Sequence, residues 1–437
     1  MNIQKYKSKI VSAEEAVKVV KSGDKIVLHA NSCYPELLVN ALCDRYQELN
    51  DVEIAHLTIF QKPRYLDPLM EGHFRHNALF TSGPVRKAVN DGKADFTPIF
   101  LHEIPLLYES GKLKADVVFL HLSCPDEHGF CSFGTSNEIS KTVSEIAKVV
   151  VAQINPNMPR VLGDNFIHID KIDYIVETDT PLLEVAMVEK DTPEEEKKVY
   201  STIGGYIASL IKDGDTLQMG IGTIPDAVLP YLKEKNDLGI HTEMFSDGLI
   251  ELIDMGIVNG AKKTLLPGKI VSSFVIASKV CFDYINNNPF VEFRTTKFVN
   301  DPFTIARNDN MVSINSAIQV DLTGQVCADS MGHKIFSGFG GQVDFIRGAA
   351  RSRNGRPIIA LPSTAKNGQI SRIVDTLSLG AGVTTSRGDV HYVITEYGIA
   401  DLHGKTVRER AKALINIAHP KFRDELEQKA KEYKYIW

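Results

Sequence analysis

The sequence predicts an α/β protein made of two related open domains, each built on a mostly parallel sheet. Three features indicate this fold class: the length of 437 residues, an internal repeat, and apolar strand-like runs that alternate with helical patterns. A chain of this length is typical of two domains of about 200 residues each. We expect an N-terminal domain over residues 1–188 and a C-terminal domain over 189–437, which starts at the polar stretch EKDTPEEEKK.

The repeat relates two segments about 190 residues apart. KSGDKIVLHANSCYPELLVNAL at 21–42 resembles KDGDTLQMGIGTIPDAVLPYL at 212–232, because both read K-x-G-D, a strand-like run, small residues and a Pro before a helical run. A second pair of segments, starting at Asp116 and Met311, places an apolar strand before D-x-x-G at Asp126 and again at Asp321. The same order in both halves predicts an internal duplication.

The alternation of elements predicts the type of sheet. Apolar runs such as KIVLHA, ADVVFLHL, MVSINSAIQV and PIIALPS are separated by helical patterns, as in βα units with parallel strands buried on both faces. Ligands of such sheets bind beyond the carboxyl ends of the strands. Residues that directly follow a strand are therefore the candidates for chemistry.

Composition excludes several classes of function. The net charge of -6 gives no reason to expect nucleic acid as a partner. No run approaches the roughly 20 apolar residues of a membrane span, and the N-terminus lacks the apolar core of a signal peptide. The six cysteines form no CxxC pair and are read as free thiols. We expect a cytoplasmic protein with no metal site.

Two glycine-rich loops could approach a ligand closely. LQMGIGTIPDAVL at 217–229 brings Gly220 and Gly222 directly after a strand, with Pro225 near a helix start. FSGFGGQVDFIRG at 336–348 contains Gly338, Gly340 and Gly341. Either loop could also be a plain tight turn, since a lone G-x-G is a weak signal.

The stretch GIHTEMFSDG at 239–248 carries a single glutamate, Glu243, between a short apolar strand and a helix. Ser246 is expected to cap that helix and Gly256 to end it. Glu243 would then lie at the ligand edge of a parallel sheet. Pattern alone leaves an ordinary surface carboxylate as the alternative reading.

These segments resemble the acetyl-CoA hydrolase/transferase family of class I CoA-transferases. The resemblance covers nearly the whole chain and includes INPNMPRVLGD at 154–164, DGDTLQMGIGTIPDAVL at 213–229, the stretch around Glu243, FSGFGGQVDFIRGA at 336–349 and VITEYGIADLHGKTVRERAKALINIAHP at 393–420. Within the family, the sequence is most similar to enzymes that act on 4-hydroxybutyrate or butyrate. The family fold is a pair of open α/β domains, in agreement with the repeat.

The resemblance implies that Glu243 is the catalytic carboxylate, which would form glutamyl anhydride and glutamyl-CoA thioester intermediates in a ping-pong reaction. It implies an acyl pocket and thioester-oxygen site formed by Gln218, Met219, Gly220, Ile221 and Gly222. Coenzyme A, a substrate rather than a tightly bound cofactor, would contact Asn315, Gly338, Gly340, Gly341 and Lys366.

The implied partners are an acyl-CoA and a short-chain carboxylate, and family members are commonly homodimers or homotetramers. An acyl-CoA hydrolase with the same site is the nearest alternative function. A binding module without catalysis is the alternative from another class. Arg347, Arg351, Arg353 and Lys366 are candidates for contacts with the phosphates of coenzyme A, and each could equally be a solvated surface residue.

Overall fold

The computed structural model describes residues 6–185, 193–220 and 222–437. The expected domain boundary at residue 189 and the predicted pocket residue Ile221 therefore lie outside the described residues. The chain divides into two compact units. The first contains Met1–Val185, Val271–Val299 and Phe336–Gly340; the second contains Ala186–Ile270, Asn300–Ile335 and Gly341–Trp437.

The two units are thus not two consecutive halves of the chain. Val271–Val299 belongs to the first unit because its backbone bonds to several earlier segments of that unit. The Asn137 amide donates to the carbonyl of Ser273 at 2.8 Å, and the Val275 amide donates to the carbonyl of Thr135 at 2.9 Å. Such long-range backbone pairing leaves no trace in local sequence pattern.

The helices and strands of residues 6–185 are, in order, α1 (Ala13–Ala16), β1 (Lys25–Leu28), α2 (Glu36–Asp44), β2 (Val52–His56), β3 (Phe74–Ala78), α3 (Gly83–Asn90), β4 (Asp95–Phe96), α4 (Ile104–Glu109), β5 (Val117–Ser123), β6 (Phe130–Ser132), α5 (Ser140–Ile146), β7 (Val149–Asn155), β8 (Phe166–His168) and β9 (Tyr174–Glu177). Those of residues 193–437 are α6 (Glu194–Leu210), β10 (Thr216–Met219), α7 (Thr223–Leu232), β11 (Gly239–Ile240), β12 (Met244–Phe245), α8 (Gly248–Asp254), β13 (Ile270–Ser272), β14 (Phe274–Val275), α9 (Lys279–Ile285), β15 (Val291–Phe293), α10 (Thr296–Val299), α11 (Pro302–Ile305), β16 (Met311–Ser316), β17 (Gln319–Asp321), β18 (Val326–Cys327), β19 (Ser330–Met331), β20 (Lys334–Ile335), α12 (Gln342–Arg351), β21 (Arg356–Ala360), β22 (Thr364–Ala365), β23 (Ile370–Ser371), β24 (Ile373–Val374), β25 (Tyr392–Thr395), β26 (Gly398–Asp401), α13 (Val407–Ile417) and α14 (Pro420–Glu432).

Each unit is built on one large sheet. In the first unit the strand order is β4-β3-β2-β1-β5-β7-β9, and every pairing is parallel. In the second the order is β11-β10-β16-β21-β25-β26, with only the β25–β26 pairing antiparallel. All seven residues of β5 are buried, as are all six residues of β7 after its first, as expected for parallel strands covered on both faces. The predicted fold class is confirmed.

The internal repeat is confirmed at the level of single hydrogen bonds. In the first K-x-G-D turn the Lys21 amide donates to Asp24 Oδ2 at 2.8 Å, and in the second the Lys212 amide donates to Asp215 Oδ2 at 2.6 Å. The glycine between them has a φ of 82° at Gly23 and 79° at Gly214, a conformation that favours glycine.

The D-x-x-G turns match in the same way. Asp126 Oδ1 accepts from the amides of residues 128 and 130, and Asp321 Oδ1 accepts from the amides of residues 323 and 325. In the large sheets, β5 precedes the first turn and pairs with β1, and β16 precedes the second turn and pairs with β10. The short strand β17 lies between β16 and the second turn. Each unit therefore repeats one arrangement of strand, turn and neighbouring strand.

Two helix starts differ from expectation. Helix α7 begins at Thr223 behind the N-cap Gly222, so Pro225 is its third residue; this position tolerates proline because the first four amides of a helix have no intrahelical partner. Helix α8 has Asp247 rather than Ser246 as its N-cap, without a side-chain capping bond. Among the described residues, no helix is both long and apolar enough to cross a membrane.

Candidate active site

Glu243 lies just beyond the carboxyl end of a parallel strand, as predicted. Strand β11 ends at Ile240, and the His241 amide extends its pairing by donating to the carbonyl of Leu217 at 3.0 Å. Thr242 Oγ1 donates to the carbonyl of Met219 at 3.0 Å and fixes the next residue to the end of β10. The chain then bends at Glu243 before β12. These bonds hold the glutamate at the ligand edge of the second sheet.

The Glu243 carboxylate packs against a glycine at the start of α12. A Cβ atom placed on Gly341 would lie 2.8 Å from Glu243 Oε1 and 2.4 Å from Asn300 Nδ2. No residue with a side chain fits at position 341 without moving one of these groups. Gly341 is also the N-cap of the ten-residue helix α12, whose N-terminal end carries partial positive charge.

Burial dominates the electrostatics of this glutamate. The residue keeps partial exposure, but its Oε2 atom is shielded from solvent. The pKa of Glu243 is raised to about 7, chiefly by loss of water and to a smaller extent by the nearby Asp344 carboxylate, while hydrogen bonds from its own backbone and from Gln218 work against the rise.

Gln218 and Asn315 form a rigid amide pair on adjacent strands, both among the predicted site residues. Gln218 is fully buried in β10, and its Oε1 accepts from the Ile314 amide at 3.0 Å and from Asn315 Nδ2 at 3.1 Å. With its oxygen fixed by β16, the Gln218 NH₂ group is left to donate, which agrees with its bond to Glu243. The structure therefore brings Gln218, Asn315 and Glu243 together.

The predicted acyl loop lies at the end of β10. Met219 is buried, whereas Gly220 and Gly222 are partly exposed. Gly222 has a φ of 110°, and no atom lies within 4 Å of the position that its Cβ would take. The space beside the Gly222 backbone is therefore free, and the role of this loop in binding a ligand stays a prediction.

The glycines of the second loop belong to different compact units. Gly338 and Gly340 belong to the first unit, where Phe80 lies 3.1 Å and 3.4 Å from the positions their Cβ atoms would take. The Leu101 amide donates to the carbonyl of Gly340 at 3.2 Å. Gly341 belongs to the second unit, beside Glu243. In the described structure, close packing accounts for both Gly338 and Gly341.

The Lys and Arg candidates for contacts with the phosphates of coenzyme A are either exposed or already paired with a carboxylate. Lys366 is exposed on the turn between β22 and β23, with a φ of 50°. Arg347 lies 3.3 Å from Asp389, and Arg353 Nη2 lies 2.5 Å from Asp309 Oδ2. These two arginines already have carboxylate partners within the protein, which makes them weaker candidates for phosphate contacts.

Two residues that the sequence did not single out complete the site. Asn300 is fully buried, and its Nδ2 lies 3.5 Å from Asp344 Oδ2. Asp344 is buried in the first turn of α12, three residues after Gly341. Asp344 belongs to the segment GGQVDF, whose helix follows the glycine-rich loop predicted to bind a ligand. This position is the one signal in the sequence that could have identified Asp344.

The arrangement favours nucleophilic chemistry by a carboxylate. A desolvated carboxylate is more basic and more nucleophilic than a hydrated one, and fixed amides hold it in one orientation. Among the described residues, no group of three His, Cys, Asp or Glu side chains could hold a metal ion.

Comparison with known proteins identifies the family to which the chain belongs. The family model of the acetyl-CoA hydrolase/transferase N-terminal domain matches residues 2–189, and that of the C-terminal domain matches residues 278–430. The 4-hydroxybutyrate coenzyme A transferase of Clostridium kluyveri is 53% identical over 421 residues, which cover 96% of this chain and 97% of the relative.

Solved structures match over the whole chain. The 4-hydroxybutyrate CoA-transferase from Porphyromonas gingivalis has a TM-score of 0.85 at 41% identity and covers 99% of this chain and 100% of its own. RipA from Yersinia pestis has a TM-score of 0.91 at 36% identity and covers 100% of both chains. Fold and sequence together define a CoA-transferase. Within that class, the chain belongs to the acetyl-CoA hydrolase/transferase family.

Proposed function

We propose that the protein moves coenzyme A between an acyl-CoA and a short-chain carboxylate, with Glu243 as the covalent acceptor. The observation that carries the proposal is the contact between Glu243 Oε1 and Gly341, where the absence of a side chain leaves room for the carboxylate in a desolvated pocket. A surface carboxylate would need neither that glycine nor the amide donor supplied by Gln218.

The reaction runs in two symmetrical halves. The Glu243 carboxylate attacks the thioester carbon, the carbon–sulfur bond breaks, and coenzyme A leaves as a thiolate, so that an acyl-glutamyl anhydride forms. The thiolate then attacks the Glu243 carbonyl and expels the first carboxylate, which leaves a glutamyl-CoA thioester. A second carboxylate attacks this thioester, and the same steps run in reverse. No net proton transfer occurs, so a His–Asp pair is unnecessary.

Fixed amide donors supply the remaining stabilisation. Each attack places negative charge on a carbonyl oxygen, and the open backbone after β10 offers N–H groups to it. Loss of one such donor typically costs about 3 kcal/mol of transition-state stabilisation. Gln218 contributes differently, because its buried amide orients the nucleophile.

The named relatives support short-chain substrates. Those described above transfer coenzyme A to or from 4-hydroxybutyrate, according to their names. We therefore propose acetate, butyrate and 4-hydroxybutyrate as acceptors, and coenzyme A as a substrate without any tightly bound cofactor. A cytoplasmic location and a homodimer or homotetramer stay predictions.

The proposal is tested by incubating the enzyme with butyryl-CoA in the presence and absence of acetate. We expect acetyl-CoA to appear only with acetate, and Glu243→Gln to abolish it. Glu251→Gln is the matched control, because Glu251 is an exposed glutamate of the next helix, paired with Lys233. This control should keep the wild-type rate.

Consumption of butyryl-CoA at the same rate without acetate would identify a hydrolase instead, an activity that the family description also covers. Full transfer by Glu243→Gln would exclude Glu243 as the nucleophile. No turnover with any thioester, by enzyme that is folded, would favour the binding module.

A further inference from the structure

Lys263 is a buried lysine of the second unit that the proposed reaction does not use. It is 4% exposed, whereas its neighbour Lys262 is exposed. Both lysines lie in the loop that connects α8 to β13. Lysine is almost never buried in proteins unless its amino group has partners. The contacts of this amino group therefore indicate what the residue does.

The amino group of Lys263 binds two backbone carbonyls. Its Nζ donates to the carbonyl of Ile240 at 2.8 Å and to the carbonyl of Lys269 at 2.7 Å. The first acceptor is the last residue of β11, three residues before Glu243. The second lies at the end of the loop to which Lys263 belongs. The amino group thus joins this loop to the strand that leads to Glu243.

The aliphatic part of Lys263 packs on the other residue of β11. A Cβ atom placed on Gly239 would lie 2.3 Å from Lys263 Cγ and 2.7 Å from Lys263 Cδ. No residue with a side chain fits at position 239 unless the lysine moves. The lysine therefore contacts both residues of this short strand.

Strand β11 is an edge strand, with β10 as its neighbour in the sheet. The Gly239 amide donates to the carbonyl of Asp215 at 2.9 Å, and the His241 amide donates to the carbonyl of Leu217 at 3.0 Å. Alternate residues of a strand direct their backbone groups to opposite sides. The carbonyl of Ile240, between these two residues, therefore faces away from β10.

The side of β11 that faces away from β10 is paired by other parts of the unit. The carbonyl of Leu238 accepts there from the amides of Asn259 and Gly260, at 3.1 Å and 3.0 Å. The carbonyl of Ile240 is the next acceptor on that side, and Lys263 Nζ is its donor. The lysine side chain therefore continues the pairing of this edge toward Glu243.

The residues that lead to Glu243 are thus held from both sides. The bonds of His241 and Thr242 hold them to β10, and Lys263 holds the other side. Ile240 is 1% exposed, and a buried carbonyl that loses its donor costs about 1 to 3 kcal/mol. The strand could regain a donor only by moving or by admitting water. A displacement of about 1 Å at a catalytic group can cost about 100-fold in rate.

We propose that Lys263 is a positioning residue for Glu243, because its amino group closes the outer edge of β11 and fixes the backbone from which the carboxylate attacks. The inference rests on the proposed transferase function, in which Glu243 is the nucleophile. Lys263 acts through the backbone of Ile240 and does not touch the substrate. It should therefore govern kcat and leave the binding of acyl-CoA unchanged.

The test compares Lys263→Met with the matched control Lys262→Met in the transfer of coenzyme A from butyryl-CoA to acetate. Methionine keeps most of the buried chain and removes the N–H donors. We expect kcat of Lys263→Met to fall at least tenfold with KM for butyryl-CoA within twofold of wild type, and Lys262→Met to keep both values. Rates are expressed per folded enzyme, measured by circular dichroism, so that a loss of stability alone does not lower them.

Gly239→Ala is a second variant that keeps the proposal testable if Lys263→Met fails to fold. Its methyl group displaces the lysine chain without removing the amino group, and kcat should again fall at least tenfold with little change in KM. The inference is overturned if either folded variant keeps kcat within twofold of wild type, if only KM changes, or if Lys262→Met loses as much activity.

Failure of the proposed function would give a different result. Wild-type enzyme that forms no acetyl-CoA from butyryl-CoA and acetate would refute the transferase proposal, and this inference with it. Transfer by the wild type together with an unchanged kcat in folded Lys263→Met would refute the role of Lys263 alone.

Discussion

At residue 243 the protein has to remove water from a carboxylate and still keep it ionised when it reacts. Burial and Asp344 raise the pKa of Glu243, and the Gln218 amide limits the rise. A raised pKa makes the carboxylate more basic and a better nucleophile, as long as the pH stays high enough to ionise it. Both requirements are met near neutral pH.

Gly341→Ala tests the packing of this carboxylate. The added methyl group would clash with Glu243 Oε1 and Asn300 Nδ2, and a displacement of about 1 Å in an active site can cost about 100-fold in rate. We expect a loss of about that size in kcat, measured as acetyl-CoA formed from butyryl-CoA and acetate.

The matched control is Gly205→Ala, in α6 of the same unit, where the nearest atom would be 3.5 Å from the new Cβ. It should keep full activity and gain about 0.5 to 1 kcal/mol of stability, because alanine is the better helix residue. Equal activity of both variants would show that Gly341 does not shape the site.

The pH dependence follows from the raised pKa. Only ionised Glu243 attacks, so kcat/KM should fall as the pH drops through about 7, well above the usual range of a glutamate. Asp344→Asn removes a neighbouring negative charge and should move this acid limb to lower pH. The profile of kcat/KM against pH from 5 to 9 measures both effects, and a rate that stays constant down to pH 5 would contradict them.

At the scale of elements, the repeat was the most reliable prediction from sequence. K-x-G-D and D-x-x-G are short motifs with local hydrogen bonds, so their turns can be read from the residues alone. The placement of Glu243 after a strand was predictable for the same reason. The presence of Asn300 in the site was not predictable, because Asn300 contacts Asp344 across 44 residues of chain. The segment 271–299 joins the first unit through equally distant contacts.

The two K-x-G-D turns give a matched pair for a stability prediction. Asp215 is buried and forms an ion pair with the mostly buried Arg356 at 2.6 Å, whereas Asp24 is the half-buried equivalent in the first unit. Asp215→Ala leaves a buried arginine without its partner and should cost about 3 to 5 kcal/mol. Asp24→Ala should cost about 1 kcal/mol, the value of one hydrogen bond. The two variants are compared by their urea denaturation midpoints. Similar midpoints would show that the ion pair with Arg356 does not make the loss of stability larger in Asp215→Ala than in Asp24→Ala.

At the scale of the whole molecule, the described part of each compact unit contains one glutamate with a raised pKa. Glu138 in the first unit is fully buried, and its carboxylate accepts from Ser136 Oγ at 2.5 Å and from Ser140 Oγ at 3.3 Å. Burial raises the pKa of Glu138 to about 7 despite these bonds. Folding therefore favours the protonated form of both glutamates.

The raised pKa of Glu138 makes the stability of the folded protein depend on pH. Between the ordinary glutamate pKa and about 7, the unfolded chain loses the Glu138 proton while the folded chain keeps it, so stability falls as the pH rises through this window and levels off above it. Glu138→Gln should therefore raise the thermal midpoint relative to wild type more at pH 8 than at pH 5. An equal effect at the two pH values would mean that Glu138 titrates normally.

The most direct test of the account is to identify the covalent intermediate. The enzyme is incubated with butyryl-CoA, quenched in acid, digested and analysed by mass spectrometry, with a parallel sample reduced by borohydride. We predict coenzyme A attached as a thioester to the peptide that contains Glu243, its conversion by borohydride to the corresponding alcohol, and no adduct in Glu243→Gln. An adduct on another residue, or turnover by enzyme whose Glu243 stays unmodified under all quench times, would contradict the central claim.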